Sequence, residues 1–141
     1  MIAKLNWREM QELVGAVLRA MGYMTAISPD GADRGKDIVA SPDGFGFEQP
    51  RIVVEVKHRP GEKMDAPALR AFVGGRHKDD RGLYVSTGGF TKDAMYEADR
   101  SNIPLNLMTA DDLAQAVIDN YESFDSEGRA LLPLRKVYWP A

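Results

Sequence analysis

An α/β fold, with a mixed central β-sheet flanked by helices, follows from three features of this chain. Hydrophobic spacing alternates between the helical and the strand period, and turn residues punctuate the junctions. Read in order, the segments run α-β-β-β-α-β-α-β-α, so a hairpin of strands precedes the first crossover helix. Apolar residues are 44% and charged residues 28% of 141, which suits one domain, residues 1–141, with a core that needs no covalent staples.

The first helix opens on Asn6-Trp7-Arg8-Glu9, a capping-box pattern. Trp7, Met10, Leu13, Val14, Val17, Leu18 and Met21 recur at helical spacing and mark one apolar face, and Gly22 ends the run. Tyr23 to Ser28 reads as a first strand, and Pro29-Asp30-Gly31 as a turn. Asp37 to Ser41 is the second strand, and Ser41-Pro42-Asp43-Gly44-Phe45-Gly46 the loop of a hairpin. Arg51 to His58 is the most apolar strand and is expected at the centre of the sheet.

A helix is expected to begin near Pro67, which tolerates a first-turn position, with Leu69, Phe72 and Val73 inward. Gly82 to Ser86 is a short strand. Thr91 is the N-cap of a helix running to about Arg100. Ile103 to Met108 is the last strand, and Thr109-Ala110-Asp111-Asp112 caps a helix with Leu113, Val117, Ile118 and Tyr121 inward. The tail, residues 126–141, holds Leu131, Leu132, Leu134, Val137, Tyr138 and Trp139. That is too apolar for a disordered end, so it is expected to pack on the domain or on a partner.

Several classes drop out. The chain has no cysteine, so disulfides and thiolate metal sites are excluded, in keeping with a cytoplasmic setting. No signal-peptide pattern opens the chain, and no apolar run approaches the roughly 18–20 residues of a membrane span. A net charge of −3 argues against a polybasic nucleic-acid binder, although an acidic metal site would itself lower the net charge. Phosphate-loop and Gly-x-Ser-x-Gly patterns are missing, and two isolated histidines give no zinc spacing.

Chemistry concentrates in Asp37 and in Val54-Glu55-Val56-Lys57-His58. Glu55 and Lys57 lie two apart and share one strand face, while Val54 and Val56 share the other. Asp37 and Glu55, on adjacent strands, are placed to share one Mg²⁺, for which Mn²⁺ is an expected substitute. Mg²⁺ keeps several waters and needs only one or two carboxylates. Val56 offers a backbone carbonyl to the same ion. Lys57 beside the acids can orient an attacking water and stabilise phosphate charge. Plainer readings stand beside this one. Asp37 could be a strand-start acid paired with Arg34 or Lys36, and Glu55 and Lys57 a solvated ion pair. The apolar neighbours Ile52, Val53, Val54 and Val56 favour a buried strand over a solvated one.

Asp37 followed by Glu55-Val56-Lys57 matches the D…(D/E)xK signature of the PD-(D/E)xK nucleases. The short motif is weak alone. Its context is stronger: Met10-Gln11, Met21-Gly22-Tyr23, Asp33 to Ile38, Gly82 to Ala94 and Ile103-Pro104-Leu105 fall in order around it. Together they resemble the catalytic domain of Mrr-type restriction endonucleases over about Trp7 to Tyr121. The resemblance implies a restriction-endonuclease-like fold and metal-dependent DNA hydrolysis, with Asp37, Glu55 and Lys57 in catalytic positions. It also implies defence against foreign or modified DNA. The family often carries Gln where Glu55 stands and Glu where Gln11 stands, so one carboxylate is moved from helix to strand. Gln11, at the flank of the apolar helix face, is thereby expected to assist as an amide oxygen; Glu12 points away. Such enzymes usually add a recognition domain, so a recognition domain or subunit is an expected partner. A homodimer is another, because cutting both strands calls for two sites. The alternative is a catalytically inactive DNA-binding or scaffold domain of the same fold.

Around this centre, Ser86, Thr87, Thr91 and Lys92 lie on a strand-to-helix turn. They read either as a loop with an N-cap or as DNA-phosphate contacts at a helix N-terminus. His58 reads as structural or phosphate-contacting. His77, in Arg76-His77-Lys78, reads as a solvated helix end or, less favoured, as part of a phosphate-contacting patch.

Overall fold

The computed structural model describes residues 2–28 and 37–134. The helices are α1 (Trp7–Ala20), α2 (Ala66–Gly74), α3 (Lys92–Asp99), α4 (Ala110–Asn120) and α5 (Ser126–Leu131). The strands are β1 (Met24–Ile27), β2 (Ile38–Ser41), β3 (Arg51–Lys57), β4 (Asp80–Ser86) and β5 (Leu105–Thr109), and short 3₁₀ turns occupy Ile2–Lys4 and Tyr121–Ser123. The five strands form one sheet in sequence order. β1, β2 and β3 pair antiparallel, whereas β3, β4 and β5 pair parallel. The mixed sheet with flanking helices is the expected fold, and β3 is its central strand.

Local chemistry starts each helix where the sequence signals it. The Asn6 side chain accepts from the Glu9 N–H at 2.8 Å, and the Glu9 carboxylate accepts from the Asn6 N–H at 3.0 Å, closing the capping box of α1. Asp65 caps α2 through the Ala68 N–H, and Thr91 caps α3 through the Ala94 N–H. Thr109 and Asp112 form a second capping box at α4.

Alternation along β3 divides the core into two layers. Val54 and Val56 face Met10, Leu13, Val14 and Val17 of α1, joined by Leu113 and Val117 of α4 and by Leu132. Val53 faces the other way, toward Met64, Leu69, Phe72, Tyr84 and Phe90 under α2 and α3. Glu55 and Lys57 share that second face. The tail beyond α4 is held in part by Tyr121, whose hydroxyl donates to the Leu132 carbonyl at 2.7 Å and accepts from the Leu134 N–H at 2.9 Å. Val137, Tyr138 and Trp139 lie outside the described residues, as does the expected turn at Pro29-Asp30-Gly31.

Two expectations need correction. Ile118 is 59% exposed, not inward. Each helical residue turns about 100° from the last, which carries Ile118 off the face that Leu113 and Val117 bury. Val73 is only half-buried for the same reason, at the flank of the Leu69–Phe72 face. Among the described residues no helix is long and apolar enough to cross a membrane.

Candidate active site

Two adjacent strands, β2 and β3, supply the charged residues of the site. Asp37 sits at the entrance of β2, where its N–H donates to the Val54 carbonyl at 2.8 Å and its carbonyl accepts from the Ser28 N–H at 2.8 Å. That double anchorage points its carboxylate across to β3, where Oδ2 accepts from the Val56 N–H at 2.6 Å. Asp37 is 3% exposed. Glu55 projects from the α2–α3 face of β3 opposite Tyr84 of β4, and Lys57 follows one pleat later. Lys57 Nζ lies 3.2 Å from Glu55 Oε1, with the Glu55 side chain 13% and the Lys57 side chain 34% exposed.

Burial governs the electrostatics. Desolvation raises the Asp37 pKa above its ordinary value, against the opposing pull of the Val56 N–H, the Lys57 charge and the Gln11 amide. Desolvation likewise raises Glu55. Lys57 opposes that shift, and the neighbouring Asp37 charge adds to it. The Tyr84 hydroxyl is pushed up by burial and then by Glu55 and Asp37. Two carboxylates thus lie near enough to repel each other, with the Lys57 ammonium countering both. A cation placed between them would relieve both their desolvation and their mutual repulsion.

Gln11 completes the cluster from α1. It is 3% exposed, it lies close enough to Asp37 to favour the charged carboxylate, and its Nε2 has no hydrogen bond of sound geometry among the described residues. A buried amide left this way is uncommon and asks for a missing partner. Rotated by half a turn, it turns its oxygen to the side where Nε2 stands, beside Asp37. Glu12 is exposed on the opposite side of the helix. Among the described residues no third acid, histidine or cysteine joins Asp37 and Glu55. Two carboxylates, a backbone carbonyl and an amide are nonetheless a hard oxygen donor set. They fit Mg²⁺ or Mn²⁺, whose remaining ligands are waters.

The turn after β4 supports the site from behind. The Thr87 N–H donates to the Lys57 carbonyl at 3.0 Å, and Thr87 Oγ1 shares a 3.0 Å hydrogen bond with His58 Nδ1. His58 Nε2 donates to the Leu5 carbonyl at 2.6 Å, so this histidine is a structural tie. Ser86 is fully buried and donates to the Gly89 carbonyl at 2.9 Å, which leaves no hydroxyl surface for DNA. Thr87 and Thr91 are half-buried and engaged in these internal bonds, and Lys92 is exposed at the start of α3. Gly88 packs so closely on the loop before α2 that a Cβ there would lie 2.0 Å from the Glu62 carbonyl oxygen.

Arg76 was not singled out by its sequence context, yet it belongs to this region. Its guanidinium stacks 4.9 Å from the centre of the Phe72 ring, and its charge favours an ionised Glu55. The Phe72-to-Arg76 spacing of one helical turn was the available signal. His77 is exposed, as a solvated helix end should be.

Comparison with known proteins agrees with this architecture. The Mrr_cat family, described as restriction endonuclease, matches residues 2–117. The uncharacterized protein y4cE of Sinorhizobium fredii (strain NBRC 101917 / NGR234) is 33% identical over 95 residues, which are 64% of this chain and 24% of that protein. Among solved structures, MspJI restriction endonuclease in complex with a 27-mer oligonucleotide superposes with a TM-score of 0.60 at 18% identity, over 89% of this chain and 31% of that one. A protein of unknown function, AF1548, superposes with a TM-score of 0.55 at 18% identity, over 79% of this chain and 66% of that one. The chain therefore spans about a quarter of the curated relative and under a third of the MspJI chain.

Proposed function

We propose that this chain, which belongs to the Mrr-type restriction endonuclease family, hydrolyses DNA phosphodiester bonds with Mg²⁺, or Mn²⁺ in its place. One observation carries the reading: buried Asp37 and the half-buried Glu55 and Lys57 meet from two adjacent antiparallel strands, with Lys57 Nζ 3.2 Å from Glu55. Family membership supports a nuclease. DNA as substrate draws support from MspJI, which was solved with an oligonucleotide.

In this reading Asp37, Glu55 and the Val56 carbonyl hold the ion, with Gln11 beside them. When bound, the metal neutralises phosphate charge, polarises a water and stabilises the leaving oxygen. Each side chain has its own task. The Val56 N–H and the Asp37 backbone bonds fix the Asp37 carboxylate before any ligand arrives, so little reorganisation is required. Lys57, one-third exposed, sheds Glu55 as a partner when phosphate enters, then orients the water and shares the phosphate charge. Tyr84, the cross-strand neighbour of Glu55, stays protonated and adds no charge to the site.

Defence against foreign or modified DNA, in the cytoplasm where such DNA arrives, is the biological role this activity fits. Target recognition would come from a further domain or subunit, since relatives carry this domain within longer chains. A homodimer would supply the second site for double-strand cutting. The test is incubation of methylated and unmethylated plasmid with Mg²⁺, Mn²⁺ or chelator. Cleavage should need a divalent ion and should vanish in folded Asp37→Ala and Lys57→Ala. Mutants that cut like wild type would remove the assignment. Calorimetry with Mg²⁺ and Mn²⁺ separates the alternative, an inactive DNA-binding or scaffold domain, which would bind neither.

A further inference from the structure

Beside Glu55 and Lys57 the surface opens into a cavity of about 660 Å³ between β3 and α2. That volume lies within the range that encloses a small organic ligand. Its two sides differ in chemistry. Toward α2 the lining is apolar, formed by Met64, Ala68, Ala71 and Phe72. Small side chains on this face of α2 leave the room, and Tyr84 closes the inner end under Glu55. Toward the mouth stand Lys57, Arg59 and Lys63. Three acids line the same cavity and each is engaged: Glu55 lies 3.2 Å from Lys57, Glu62 lies 3.6 Å from Arg59, and Asp65 caps α2 through Ala68. Lys63 pairs with no carboxylate among the described residues.

The backbone of an intact duplex presents sugar and phosphate to a protein, and neither uses an apolar recess. A nucleobase does, because its faces are apolar and stack or pack against such walls. A paired base lies inside the helix and cannot reach a recess of this kind, so the occupant must be unpaired. Cations at the mouth, next to the lysine that handles phosphate, suit the 5′- or 3′-phosphate of the same nucleotide.

We infer that this cavity binds one unpaired DNA nucleotide next to the bond being cut, with its base against the Ala68–Phe72 wall and its phosphate at Lys57, Arg59 and Lys63. The inference rests on the nuclease reading of the adjoining cluster and extends it to the form of the substrate.

The test uses the full chain in chelator with short oligonucleotides carrying 2-aminopurine, whose emission rises when it leaves the DNA stack. Three probes distinguish the source of the unpaired nucleotide: a single strand, a duplex with the probe at its end, and a duplex with the probe at its centre. Wild type should bind the single strand tightly and raise emission in at least one duplex arm. Ala71→Leu fills the cavity at an exposed helical position that tolerates leucine. It should bind the single strand about tenfold more weakly and abolish the emission change. Lys63→Ala should weaken binding in all arms and flatten its salt dependence. Unchanged emission in every duplex arm, or Ala71→Leu behaving as wild type, overturns the inference. Cleavage of plasmid with no probe response would remove this site and leave the nuclease. A probe response lost in Ala71→Leu, with no cleavage under any metal, would remove the nuclease reading and keep the nucleotide site.

Discussion

Asp37→Asn should disable the site and stabilise the metal-free protein. The carboxylate is 3% exposed, and desolvation is the largest influence on it, exceeding the help of the Val56 N–H, Lys57 and Gln11. Its pKa is therefore raised in the folded state. The native form holds the proton over a range where the unfolded chain has released it, so stability falls as pH rises from the ordinary value of 3.8 through the raised one. Above that range the penalty persists in full. Asparagine keeps the shape and an oxygen for the Val56 N–H but carries no charge, and it also removes the Asp37 contribution that raises Glu55. Relief of this kind at a functional site typically returns about 0.5–2 kcal/mol. For a domain of this size that is a rise of about 2–7 °C in Tm. Thermal melts in chelator between pH 3 and 8 should show no difference at the acid end and a widening advantage for Asn above it. Saturating Mg²⁺ should invert the order, because at a hundred times Kd it would add about 2.7 kcal/mol to wild type alone. DNA cleavage should fall at least about 10²-fold in the variant. An Asn variant that is less stable than wild type in chelator at every pH, with wild type indifferent to Mg²⁺, would refute this account of the site.

Other outcomes follow from the same geometry. Gln11→Glu combined with Glu55→Gln should retain more plasmid-cutting activity than Glu55→Gln alone, since the pair moves one carboxylate between two groups that flank Asp37. Gly88→Ala should fail to fold or lose more than about 3 kcal/mol in urea melts, because its Cβ would meet the Glu62 and Arg59 carbonyl oxygens at 2.0 and 2.5 Å. Leu69→Ala, at a fully buried position on the inner face of α2, should cost about 2–5 kcal/mol and loosen the wall of the proposed nucleotide cavity. Arg51→Ala should cost about 1.5–3 kcal/mol, since it removes the 3.1 Å charged partner of Asp80, a 3%-exposed residue left with the His77 N–H at 2.9 Å.

The elements that the chain announces most clearly are those whose signals are local. Asn6 and Glu9, Thr91, and Thr109 with Asp112 each mark a helix start through bonds spanning three residues. β3 announces its central place because a strand covered on both faces must be apolar on both. Expectations slipped where a periodic face has an edge: Ile118 lies just past the face that Leu113 and Val117 bury, and Val73, at a flank, packs on the core only in part. The turn hydroxyls were harder still. Ser86, Thr87 and Thr91 look alike as donors along the chain, and only the fold commits Ser86 to Gly89 and Thr87 to Lys57 and His58.

For the site itself, alternation along one strand was enough to put Glu55 and Lys57 on a common face and to oppose them to Val54 and Val56. That inference needs nothing beyond the pleat of a single strand. Asp37 is different. Its separation from Glu55 along the chain says nothing about distance until β2 and β3 pair, Ile38 against Val54, and aim the carboxylate at the Val56 N–H. The same pairing buries Asp37 and Gln11 together, which raises one and leaves the other short of a partner. Residue types and local spacing determined which groups could do chemistry here. Pairing and burial, which act between residues distant in sequence, decided that Asp37, Glu55 and Lys57 lie near enough to feel one another's charge.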